Sequence, residues 1–163
     1  MAEVQTLFIK FTDIKGTANV KGYTDYIPID NLNFETHASV KPDSSGALAS
    51  GGVQISAVRF QKTDDFNSDE ILSSKMLSAE SFKEVVIVKV TTNKGKTVEN
   101  RKVTLTDACV VMAETNLLND GAAVNSYMLV ASSFKRESQT VAKDGQAQKI
   151  GPKGFNFVTA EAQ

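Results

Sequence analysis

Few residues in this chain could act as nucleophile, base or metal ligand. His37 is the only histidine and Cys109 the only cysteine. A conventional triad or a histidine metal site would therefore hang on one residue, and no intramolecular disulfide can form. His37 falls in a Ser/Gly-rich stretch, where a solvated imidazole is expected. Cys109 falls in the run Asp107–Met112, which reads as a buried strand in which a thiol packs as a small hydrophobe. Asp64, Asp65, Asp69 and Glu70 crowd carboxylates together. Calcium could use such a set, but the glycine and terminal glutamate of an EF-hand loop are missing. The simpler reading is acids that precede and open a helix. No Cys-x-x-Cys, Walker A, Gly-x-Gly-x-x-Gly or Gly-x-Ser-x-Gly pattern occurs. A paired-carboxylate glycosidase assembles in space and leaves no linear mark. The chain has no tryptophan to stack on a sugar, however, and its Phe and Tyr fall in strand-core patterns. These residues point away from an enzyme and imply no metal and no cofactor.

The elements around these residues read as mainly β. Leu7–Phe11 is a short strand that ends at Asp13 and Gly16. In Tyr26–Phe34, residues 26, 32 and 34 share one parity while Ile27 and Ile29 share the other, which a bulge near Asp30 would reconcile. Val53–Phe60 mixes parity in the same way, with a bend near Ala57. Phe82–Thr92 and Lys96–Ala113 form a hairpin about Asn93–Gly95, residues that tolerate tight-turn geometry. Along its second strand Val103, Leu105, Cys109 and Val111 share a parity interrupted by Asp107. Asn116–Gly121 reads as a loop and Asn125–Ser138 as one long strand with apolar residues on both faces. That pattern suits a barrel wall covered outside as well as inside.

One helix is expected at about 67–78. Asn67 is placed as N-cap, Glu70 at the capping-box position, Phe66 and Ile71 as a hydrophobic staple, and Lys75 near the negative end of the dipole. Ile71, Leu72 and Met76 make its narrow apolar stripe, which plugs or flanks the barrel. The segment of about 35–52 differs: it holds five Ser or Thr, three Gly and Pro42, with Val40 and Leu48 its only large apolar residues. It reads as a long extended loop, either a surface insertion or an arm that orders against a neighbouring subunit.

Composition bounds the partners. The 163 residues suit one domain over 1–163, and 18 basic against 19 acidic side chains give a net charge of −1. With the basic residues scattered, neither nucleic acid nor an anionic membrane is expected as a partner. The N-terminus lacks the basic and apolar regions of a signal peptide, and no stretch approaches a transmembrane span. Synthesis in the cytoplasm is expected, with any export by another route.

In the order of its features the chain resembles the haemolysin co-regulated protein (Hcp) family of type VI secretion. The resemblance rests on Leu7–Lys10 followed by Asp13–Gly16, on Tyr26, Ile27 and Phe34 in the next strand, and on the Ser/Gly-rich loop. A single helix, a long hairpin and the closing segment Lys149–Phe155 complete it. The chain departs where Thr17 and Ala18 replace the usual Glu-Ser, and where Tyr26, Leu32 and Phe34 stand for tryptophans. The resemblance implies a compact β-barrel with one helix, six copies closing into a ring, and rings stacking into a tube secreted through the type VI apparatus. Its implied partners are itself and the sheath, spike and effector proteins. Within that frame Val40, Pro42 and Leu48 are placed in a ring-stacking loop. Tyr26 and Pro28 are placed on an inter-subunit edge strand, since proline cannot donate to a ladder. A phage tail-tube protein and a monomeric β-barrel binding module are the alternatives.

Overall fold

The computed structural model describes residues 6–55, 57–93, 96–121, 123–141 and 146–162. Strands β1 (Leu7–Phe11), β2 (Ile27–Pro28), β3 (Asn31–Asn33), β4 (Thr36–Pro42), β5 (Leu48–Ile55) and β6 (Val58–Thr63) lead to helix α1 (Phe66–Ser78). Then follow β7 (Ser81–Asn93), β8 (Lys96–Leu117), β9 (Ala123–Val130), β10 (Ser133–Val141), β11 (Ala147–Asn156) and β12 (Glu161–Ala162). The described pairings are all antiparallel.

The wall runs β3–β6–β9–β8–β7–β1–β2, with β10 following β9 along the same edge of β8 and β11 and β12 continuing from β10. Among the described residues no ladder between its ends closes the expected barrel. Instead β2 and β3 are consecutive in the chain, and the residues between them bridge the gap. Ile29 N–H donates to Leu7 O at 3.0 Å and Asp30 N–H to Gln61 O at 2.8 Å. The parity change foreseen at Asp30 is thus a corner, where the chain leaves β1 for β6, rather than a bulge within one strand.

A second corner shapes β8. Its first part pairs with β7 and β10, and its last part with β9. Asp107 takes φ 49°, a left-handed conformation that Asp tolerates better than most residues. The extra turn swaps faces: Val103 and Leu105 point inward before it, Ala108 and Val110 after it. The expected common parity of Val103, Leu105, Cys109 and Val111 therefore fails beyond Asp107, and Cys109 is only half-buried. The chain opposite bends with it. The strand foreseen at Asn125–Ser138 divides into β9 and β10 at Ala131–Ser132, where Ser132 N–H and Oγ both reach Thr106 O at 3.0 Å. The β7–β8 ladder ends at the pair Asn93↔Lys96; the expected turn residues Lys94 and Gly95 lie outside the described residues.

Both faces of the wall are covered in part. Inside, Phe11 meets Phe82 and Phe60, and Phe60 stacks on Tyr127. Outside β1 and β7, the loop before β2 lays Tyr23 flat on Phe8, with ring centroids 5.2 Å apart, over Val88 and Val90. This loop explains apolar residues on both faces of β1 and β7; it does not cover the strand expected to be two-sided at Asn125–Ser138, where Val130 is exposed. It is held by Gly16 N–H to Asp25 O and Ala18 N–H to Tyr26 O, and by Tyr23 OH donating to Glu99 at 2.9 Å.

The segment expected to be a long loop at 35–52 is a β-hairpin. β4 and β5 form a separate two-stranded sheet, with a register shift where Gly51 and Gly52 face Ser39. Gly52, at φ 99°, supplies the geometry of that bulge. Asp43 builds the turn: its side chain accepts from Ser45 N–H, Ser45 Oγ and Ala47 N–H at 2.8, 2.6 and 3.0 Å. These bonds, led by that from the Ser45 hydroxyl, hold its carboxyl below the usual range.

At Gly16 a Cβ would overlap the Tyr26 carbonyl. Gly16→Ala should force the covering loop outward and lower stability by about 1–3 kcal/mol. Urea unfolding checks this, and an unchanged midpoint would show that the loop shifts without cost.

Candidate functional site

The helix begins one residue earlier than expected and is capped differently. Asp65, not Asn67, occupies the N-cap, with an extended backbone at φ −147°. Its own N–H is bonded by Asp69 Oδ2 at 2.7 Å, and its carboxylate accepts from Ser68 Oγ at 2.9 Å. The foreseen staple does not form, since Phe66 is 85% exposed. The stripe is placed as expected: Leu72 is fully buried, with Ile71 and Met76 packed beside it. Ala79 ends the helix at φ 55°, its N–H reaching Lys75 O and Met76 O.

Asp69 is the most heavily bonded side chain here. Besides the Asp65 N–H it accepts from Lys62 Nζ at 2.7 Å, Tyr127 OH at 2.6 Å and Asn125 Nδ2 at 2.8 Å. Asn125 also donates to Asp64 at 2.9 Å and accepts from Thr115 Oγ1 at 2.6 Å. The network ties α1 to β6, β8 and β9. Lys62 is 1% exposed, so its charge is tolerable only beside a carboxylate. Burial pushes the Asp69 carboxyl up, but the bonds from Lys62, Tyr127 and the Asp65 amide outweigh it and hold it below the usual range. Burial, then the bond to Asp69, pushes the Tyr127 hydroxyl up. With four donors on its two oxygens, Asp69 has no free lone pair aimed at a ligand. Of the four acids that suggested calcium, Asp65 caps the helix, Asp64 and Asp69 belong to this network, and Glu70 is exposed.

The residues placed in a stacking loop do come together. Pro42 faces Leu48 across the ladder and Val40 lies two residues before Pro42, so all three share one face of the ribbon. Val40 is 53% and Leu48 78% exposed. No ladder joins the ribbon to the rest of the chain among the described residues. The two edge residues separate. Pro28 sits on β2 at the end of the sheet path, opposite Phe8. Tyr26 lies just before β2 and packs inward on the covering loop, edge-on to Tyr23 at 5.3 Å with Lys10 Nζ 5.4 Å from its ring centre. Beside Pro28 a groove of about 750 Å³ runs past Thr17, Asp30, Asp64 and Lys89.

Ribbon, helix and kinked wall can be set against known proteins. The family model described as "Type VI secretion system effector, Hcp" matches residues 8–142. The chain belongs to the Hcp family. It is thus a type VI secretion tube protein, of a family exported through that apparatus. No curated protein matches by sequence. A solved type six secretion system protein superposes at a TM-score of 0.88 with 18% identity, covering 98% of this chain and 100% of the other. Hcp1 from Salmonella typhimurium gives 0.76 with 19% identity, covering 97% and 98%. Hcp3 from Pseudomonas aeruginosa gives 0.60 with 14% identity, covering 89% and 96%. At such identities the likeness of these structures establishes the fold.

In this Hcp chain the Lys62–Asp69 pair escaped the sequence reading. Lys62 alternates with Val58 and Phe60, and an inward lysine at that parity was the available signal. Asp69→Ala should cost about 3–5 kcal/mol, because it leaves the Lys62 charge buried without its partner. The sign with pH follows from the direction of the Asp69 shift. Its contribution is present above the ordinary carboxylate pKa and is lost as pH falls through the lower folded value. Acid titration of unfolding free energy should therefore be shallower in Asp69→Asn than in the parent. Equal slopes would place the acid sensitivity elsewhere.

Proposed function

We propose that this chain is the ring-forming subunit of the type VI inner tube. Six copies close into a ring, rings stack through the β4–β5 ribbon, and the tube carries effectors to target cells. Sheath and spike proteins are its other partners. The observation that carries this reading is the ribbon itself. It exposes Val40 and Leu48 on one face and forms no ladder with its own body among the described residues. Apolar side chains held out this way on a built turn fit a contact with another copy.

Lateral contacts fall to the open edges of the sheet. Pro28 marks one. The outer side of β11, which pairs with β12 only at Phe155 and Asn156, offers another. Unpaired edges of different strands suit a heterologous contact that closes a ring. Tyr26 serves this edge indirectly, by holding the loop that frames it. The protein acts by assembly rather than catalysis. No described helix is long and apolar enough to cross a membrane.

Light scattering after size-exclusion chromatography tests the ring: a mass near six protomers is expected, and a monomer at every concentration would reject it. Deleting residues 38–50 should leave the mass and the unfolding transition of the body unchanged while abolishing tubes seen by electron microscopy. Unchanged tube formation would remove the ribbon from stacking.

A further inference from the structure

The ribbon needs an acceptor, and the topology indicates where on the next copy it lies. β3 and β6 pair with Asn33 opposite Arg59, and just beyond them β4 and β5 pair with Thr36 opposite Ile55. The ribbon therefore prolongs the β3–β6 pair past its Val58 end. At the other end of β6, roughly 17 Å away at about 3.3 Å per residue, the chain enters α1. Asp64 N–H there donates to Ala123 O at 3.1 Å, and Ala123 is the ladder partner of Leu117. Phe66, Leu117 and Leu118 thus share the pole opposite the ribbon, and they are 85%, 80% and 53% exposed.

Three large apolar side chains grouped at a strand-turn tip and a helix start have no role in the core. Such a group marks an interaction site. Its occupant is indicated by the matching group at the other pole. A contact between opposite poles of identical subunits is heterologous and repeats without limit along one direction, as stacked rings require. Charge is complementary as well: Lys41 lies beside Pro42 near the ribbon tip, while Glu70 lies near the start of the helix that begins at Phe66. Asp43, the acid of the tip, is already engaged by its own turn.

We propose that the Phe66–Leu117–Leu118 pole is the acceptor for the Val40–Leu48 face of the ribbon on a second copy in the next ring. The proposal rests on the stacking reading above and adds the surface that reading lacks.

The test uses the full chain in a Cys109→Ala background. Leu48→Cys and Leu117→Cys together should give a ladder of disulfide-linked multimers on oxidation, because the two thiols meet only between copies. Either substitution alone should give none, and dimers from Leu48→Cys alone would mean that ribbons meet each other and would overturn the proposal. In the parent background Leu117→Asp with Leu118→Asp, both at exposed positions, should keep the ring mass. It should raise the concentration at which rings stack by roughly tenfold or more. Normal stacking in that variant, with no ladder from the cysteine pair, would overturn the acceptor while ribbon deletion still reported on the stacking reading. Failure of the parent to stack at any concentration would overturn that reading and this inference with it.

Discussion

The structure depends on a constraint set at one residue pair. β8 is 22 residues long and contributes to both halves of the wall, yet a strand alternates its faces strictly. Without a correction, the side chains that point inward beside β10 would point outward beside β9. Asp107 makes the correction by taking a left-handed backbone, and Ser132 fixes it from the opposite strand through Thr106 O. Two strands thus bend at one level. Ala108, Val110, Tyr127 and Leu129 reach the same interior as Leu105 and Phe134.

Helix α1 packs against this bent wall on β8. Its apolar face is narrow, with Leu72 its fully buried large side chain, so burial alone holds it weakly. Asp69 supplies the remaining constraint. A carboxylate with four donors, one from β6, two from β9 and one from the N-cap of its own helix, fixes the helix in rotation and in height, which a single leucine cannot. A hydrophobic pair at Lys62 and Asp69 could match its stability, but would not impose that geometry. The position of Phe66 beside the β8–β9 tip follows from the geometry that Asp69 sets.

Much of this was legible in the sequence where one face is buried and the other is not. Helix α1, its stripe, the long β7–β8 hairpin and the parity change at Asp30 were read correctly in place, because burial writes a period into the residues. The capping was misread by two positions: Asn67, Asp65 and Asp64 are all plausible caps, and tertiary bonds to Asp69 decide among them. The ribbon at 35–52 was invisible as strands for a physical reason. It is exposed on both sides, so no hydrophobic alternation is imposed, and Gly51 and Gly52 sit at a bulge that resembles a loop in composition. Cys109 was assigned to the core on a parity that Asp107 reverses, and a left-handed non-glycine residue leaves no mark in sequence.

A two-stranded ribbon alone is marginal in water, and among the described residues no ladder ties this one to the body. That weakness suits an assembly built from rings. One arm meeting one acceptor buries only a few side chains, so lone subunits have little tendency to chain end to end. Once a ring has closed, its arms are presented together, and each contact after the first forms at the high effective concentration set by the others. Ring closure then comes before stacking as a consequence of valence, with no switch needed in the subunit. A ribbon that bound tightly by itself would remove that order and give single-file fibres instead of a tube.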